Sequence, residues 1–188
     1  GAGTSRLTRF YLWGKNTRAS QEIIIRDLAR IQGLIPSERT EVRTAADNAE
    51  LRFDKPIESD EAKKLAETSG ASIVVACEVR KKGEQVALSA RIYKMASSAA
   101  PAKVDGEVAA VDLPALLNQV VYAAAEAAGV AVSAEARLQI NQPLTSKPEA
   151  LTAFGQGLVE ADEAKSAALL RKAVELDPEF PAAWFELG

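Results

Sequence analysis

Two runs, "SIVVACEVR" and "QVALSARIYK", separated by "KKGE", constrain this 188-residue chain more than any other feature. Both runs are built from β-formers, and the residues between them, 81–84, carry a glycine. That combination predicts a β-hairpin. In the second run Val86, Leu88, Ala90 and Ile92 recur every second residue, so one face of the strand is apolar. Cys77 lies within the first run and reads as a small buried hydrophobe.

The flanking segments set strands beside helices. "LTRFYLW" (7–13) is aromatic-rich and reads as a strand. In "ASQEIIIRDLARIQG" Ile24, Leu28 and Ile31 share one helical face, and Gly33 stops the helix. Residues 34–44 read as a second strand, with Pro36 arguing for an edge position. Residues 45–58 read as a loop with a short extended piece near 51–53. "SDEAKKLAETSG" predicts a short helix capped by Ser59 and stopped by Gly70. "KVDGEVAAV" (103–111) reads as a third strand of the hairpin's meander. A strong helix is expected over 112–129, with Asp112 as cap, Pro114 in the first turn and Gly129 at the end. Its apolar face is Leu113, Leu116, Leu117, Val120, Val121 and Ala124. "SAEARLQI" adds a short helix, and "NQPLTSKP" (141–148) reads as a linker. The expected architecture is an α/β (α+β) sandwich over residues 1–140, helices flanking a small mixed sheet in three layers. The linker follows, and residues 149–188 are all helical.

Composition narrows the chemistry. The chain has no histidine and one cysteine. A Ser-His-Asp triad, a Cys-His pair and the HExxH zinc site all need an imidazole. One thiol cannot make an internal disulfide or a multi-thiolate metal site. No phosphate loop, dinucleotide fingerprint or metal-ligand cluster occurs, so no cofactor is expected. The acid pairs Asp60/Glu61 and Asp162/Glu163 sit near helix starts, where acids favour the helix dipole. A net charge of −3 does not suggest a nucleic-acid partner. No apolar run is long enough to cross a membrane, and none has the pattern of a secretory leader. The chain opens on Gly1 rather than Met, which reads as a processed or excised end.

The final helices carry a spaced pattern. Taking Pro178 as a closing proline, Ala173 falls on a small position, Leu170 on a large one and Ser166 on an earlier small one. Beyond the proline, Trp184, Leu187 and Gly188 spell W-x-x-L-G. This resembles the tetratricopeptide (TPR) repeat, a helix-turn-helix unit of 34 residues. Small residues let the paired helices approach, and Trp and Leu fill the groove between neighbouring pairs. Gly157 lies about three residues closer to Pro178 than the standard period asks. The resemblance implies an all-α TPR-type hairpin, one repeat plus the start of a second, with Trp184 buried on the preceding pair or against another chain.

The front part carries a second resemblance. "LARIQGL", "AKKLAETSGASIVVACEVRKKGEQVALSARIYK", "LPALLNQVVYAAAEAAGVAVSAEARLQI" and "EALTAFGQG" together are similar to the TolB amino-terminal-like module, which often precedes TPR repeats in bacterial multidomain proteins. The family's "PF-x-N" after the first strand is replaced by "YLWGKNT". Its tryptophan after the third strand is missing. The resemblance implies no catalytic residues.

The function expected is therefore a non-catalytic interaction or sensor module that binds a protein or peptide. In the resembled families such modules belong to bacterial signalling proteins, among them receptor-type serine/threonine kinases and cyclases, and an extracytoplasmic setting is common. The alternative is a structural scaffold or oligomerisation domain of an envelope-assembly protein, with a homo-oligomer as its signature. An enzyme with an unrecognised site is the third reading. Candidate contact residues are Trp13, Lys15 and Arg18, where aromatics and cations meet at a strand-to-helix junction, and Arg80, Lys81 and Lys82 at the basic hairpin tip.

Overall fold

The computed structural model describes residues 8–13, 18–36, 57–95 and 99–188, together with positions 44, 47, 48, 50 and 97; for 8–13, 18 and 19 it describes the backbone. Its centre is a five-stranded mixed sheet with strand order β2-β1-β3-β4-β5. The strands are β1 (Thr8–Trp13), β2 (Leu34–Pro36), β3 (Ile73–Lys82), β4 (Gln85–Lys94) and β5 (Ala102–Ala109). β1 lies parallel to both β2 and β3. β3, β4 and β5 run antiparallel as a meander.

The hairpin is tighter than the four-residue turn expected. Lys82 pairs with Gln85, so only Gly83 and Glu84 form the turn. Gly83 has φ of 62°, a conformation that two-residue hairpin turns require and that favours glycine. The expected strand over 34–44 is described as Leu34–Pro36, residues 37–43 and the extended piece near 51–53 lie outside the described residues, and Thr44 is helical rather than extended.

Helices cover both faces. α1 (Arg18–Ala29) joins β1 to β2, and α2 (Ser59–Ser69) precedes β3. These crossovers step in opposite directions across the sheet, from β1 to β2 on one side and back past β1 to β3. A constant crossover hand then places the two helices on opposite faces. Ile73, Val75, Cys77 and Val79 of β3 and Val86, Leu88, Ala90 and Ile92 of β4 join the core that includes α1. Val74 and Tyr93 face the other way and pack with Ala62, Leu65 and Ala66 of α2. β3 opens as an uninterrupted apolar run because its first part is covered on both faces.

The cap of α2 differs from expectation. Glu58, not Ser59, is the capping residue. Its carboxylate accepts from the backbone N–H of Glu61, and the Glu61 carboxylate accepts from the Glu58 N–H at 3.3 Å. The reciprocal pair satisfies two orphan donors, whereas one Ser59 hydroxyl would satisfy one.

A 3-10 turn (Ala110–Asp112) leads into α3 (Leu113–Ala127), which buries seven residues against the sheet and α1. Ser133 caps α4 (Ala134–Asn141), its hydroxyl accepting from Ala136 N at 3.1 Å. Then come α5 (Pro148–Val159), α6 (Glu163–Leu176) and α7 (Pro181–Leu187). The segment expected as a linker is tied down. Thr145 is buried and donates to the Asp177 carboxylate, and Lys147 Nζ donates to Leu176 O at 3.1 Å. One apolar cluster runs from Ile24 and Leu28 through Leu117 and Val120 to Phe154, Ala173 and Phe180.

Candidate functional site

α7 is short, and its burial is split sharply. Phe180, which caps it, is fully buried and meets the Phe154 ring at 4.9 Å between centroids. Ala182 and Ala183 follow into the core. Trp184 and Phe185 then point outward, 51% and 68% exposed. Trp184 is therefore not buried on the preceding helices of this chain. A seven-residue helix docked through two alanines presents one face inward, and adjacent aromatics fall on its outer arc. The Trp184 ring is nevertheless held, because its Nε1 donates to Pro178 O at 2.8 Å.

Beside these rings, Glu22, Ile23 and Arg26 of α1 meet Pro181, Ala182, Phe185 and Glu186 of α7 around an open cleft of about 370 Å³. It shares Ile23, Arg26, Pro181 and Ala182 with a larger cleft of about 490 Å³ that reaches the start of α3 and the α4–α5 connection. In the larger cleft Asn118 Nδ2 donates to Ile140 O at 3.2 Å and fixes α4 on α3. Tyr122 donates to Asn141 Oδ1 at 2.6 Å and carries Arg137 over its ring. Asp27 is buried along the wall. Burial raises its carboxyl above the ordinary value, while Arg26 and Arg30 pull it down; Arg30 Nε lies 3.7 Å away. The cleft has an apolar centre, Ile23 with the Phe185 ring, rimmed by charges of both signs, and Trp184 is exposed on the adjoining side of α7. Such a surface suits recognition of an apolar segment flanked by polar residues.

The basic hairpin tip reads differently from the sequence expectation. Lys81 lies 3.6 Å from Glu160 at the end of α5, and Lys82 Nζ donates to Glu107 Oε2 at 2.9 Å. Two of the three cations thus serve the fold; Arg80 is exposed. Trp13 is the last residue of β1, paired with Ala76, and Arg18 opens α1. Lys15 lies outside the described residues.

The repeat-pattern residues gather on α6 and α7. Ser166 Oγ donates to Gly157 O at 2.8 Å where α5 and α6 meet. Leu170 and Ala173 are buried on α5's side of α6, Pro178 lies exposed between α6 and α7, Leu187 is half-buried, and Gly188 ends the chain at φ of 87°. Sequence reading missed Phe185, Ile23 and Arg26. A usable signal existed for Phe185, because two adjacent aromatics on a short helix cannot both face one core. Cys77 is unreachable: burial, with Glu78 nearby, pushes its thiol up to about 12. Among the described residues no group of three or more potential ligands gathers to hold a metal, and no helix is long and apolar enough to cross a membrane.

No protein-family model matches the chain, and no curated protein does. Among solved structures it is similar to the LpoB C-terminal domain from Salmonella enterica, at 14% identity, covering 58% of this chain and 87% of that one, with a TM-score of 0.45. That likeness is too slight to carry an inference about function.

Proposed function

We propose that this chain is a non-catalytic protein-interaction domain of the scaffold kind, which engages a protein partner through the α7–α1 surface. The observation that carries the reading is the exposed Phe185 ring at the α1–α7 cleft, with the exposed Trp184 beside it on α7. Tryptophan anchors of this kind dominate binding energy where they are buried by a partner. The Pro178 carbonyl already orients Trp184, so less side-chain entropy remains to be lost on binding. On this reading α5 and α6 are a TPR-type hairpin, and α7 opens a second unit that docks through Ala182 and Ala183 and leaves Trp184 outward. The small-residue approach of Gly157 to α6 supports it: a methyl group there would lie 3.1 Å from Leu170. The sensor-arm reading finds no observation of its own in the structure.

Selection of random peptides displayed on phage tests the proposal. The wild-type chain is expected to enrich a family of apolar peptides. Binding should be lost in a Trp184→Ser/Phe185→Ser double variant with unchanged thermal unfolding. Enrichment that is absent, or equal on both proteins, sinks the reading.

A further inference from the structure

The two edges of the sheet are treated differently. β2 ends the sheet on one side with three residues, the last of them Pro36, which has no N–H to donate. That is a blunted edge. β5 ends the other side with eight residues paired to β4 along their whole length. Among the described residues no strand pairs with its outer side. About 27 Å of backbone edge is left open.

The charges on β5 do not close that edge. Lys103, Asp105 and Glu107 share its solvent face, while Val104, Gly106 and Val108 turn toward the core side and are half-buried. Arg91 Nη1 donates to Asp105 Oδ1 at 2.7 Å, and Lys82 Nζ to Glu107 Oε2 at 2.9 Å, both from β4. The two acids are thus neutralised from inside the sheet, and the strand carries no net repulsion for a neighbour.

We infer that β5 pairs antiparallel with β5 of a second copy, about a two-fold axis at Asp105, extending the sheet across two chains. Charge complementarity selects the occupant and the register. An axis at Asp105 sets Lys103 opposite Glu107 of the other copy twice over, and Val104 opposite Gly106 on the core side. The two central aspartates each keep their own Arg91. Moving the axis to Gly106 would oppose Asp105 to Glu107 twice, a like-charge arrangement. Moving it to Val104 would shorten the ladder within β5 from residues 102–108 to 102–106, because Pro101, which cannot donate, would then fall opposite Glu107. The inference deepens the scaffold reading above but uses different residues from the α7–α1 surface.

Charge-swapped mixing in sedimentation equilibrium, over concentrations up to about 1 mM as suits a small interface, tests it. Wild type is expected to dimerise reversibly. K103E and E107K each place like charges opposite one another at both ends of the ladder. Each alone should weaken the dimer by about tenfold or more. An equimolar mixture of the two should restore it, because each variant then meets its opposite. Both positions are exposed, and because E107K also removes the Lys82 contact its thermal unfolding is compared with wild type; hydrogen exchange gives a second readout, with slowing of β5 amides as concentration rises. A chain that stays monomeric, or a dimer indifferent to both swaps, overturns the inference. The W184S/F185S variant should dimerise as wild type does. Its failure to do so would move self-association to α7 and overturn the β5 pairing, whereas the peptide selection reads α7 alone.

Discussion

Asp27 and Asp177 are both little exposed, yet they titrate in opposite senses. Burial dominates at Asp27 and raises its carboxyl. The folded chain therefore binds that proton more tightly than the unfolded one. Ionised Asp27 costs stability at neutral pH, and the cost fades as pH falls toward the ordinary value of 3.8. Asp177 is lowered, chiefly by the Thr145 hydroxyl and then by the Glu179 N–H. Its contribution is present above 3.8 and is lost as pH falls through the folded value. Two variants separate the terms. Asp27→Asn should be at least as stable as wild type at pH 7, its advantage closing in acid. Thr145→Val should be less stable at pH 7, with the deficit also shrinking in acid. Urea denaturation across pH reads both, and deficits that are flat with pH would contradict the assignment. Neither aspartate stands out in the sequence, because the relevant burial comes from elements far along the chain.

At the scale of elements, α5 approaches the 3-10 turn through Gly155 more closely than any other described glycine approaches its neighbours. A methyl group on Gly155 would lie 2.1 Å from the backbone oxygen of Ala110. Backbone cannot move aside as a side-chain tip can. Gly155→Ala should therefore destabilise the chain by at least the roughly 1–3 kcal/mol typical of overpacking, measured as a fall in the urea midpoint at unchanged slope. A neutral outcome would mean that α5 slides freely on the turn. The same neighbourhood explains why residues 149–157 were legible as a helix while its docking was not. The sequence predicts helix from residue 149 and counts Pro148 in the linker, whereas Pro148 is the first residue of α5. That Gly155 faces Ala110, some 45 positions earlier, is a matter of packing alone. The caps show the same division. The acids in α2's first turn marked a helix start, but the choice of Glu58 over Ser59 depended on one residue of phase.

For the whole molecule, the continuous cluster from α1 through α3 to Phe154 and Phe180 predicts one cooperative unfolding transition. Cutting the chain after residue 147 would strip Phe154, Leu158, Leu170 and Phe180 from Leu113, Leu116 and their neighbours. The shortened chain should melt lower and bind a hydrophobic dye. Equal melting temperatures for the two would show that the helical segment stands apart, as a two-domain division of 1–140 and 149–188 requires.

By itself the sequence determined the local elements. Alternation every second residue made β4 a one-faced strand, the glycine turn paired it with β3, and 3.6-residue periodicity laid out α1 and α3. These signals are short-range, carried by residues within one or two turns of each other. The W-x-x-L-G pattern was equally visible, and so was the adjacency of Trp184 to Phe185. Only the tertiary structure decided which of those rings meets solvent, that Lys81 and Lys82 are bound to Glu160 and Glu107, and that β2 and β5 are the edges of the sheet. Each of these depends on which distant surfaces come together. Burial and pairing across long separations are collective properties of the packed chain, and no local spacing encodes them.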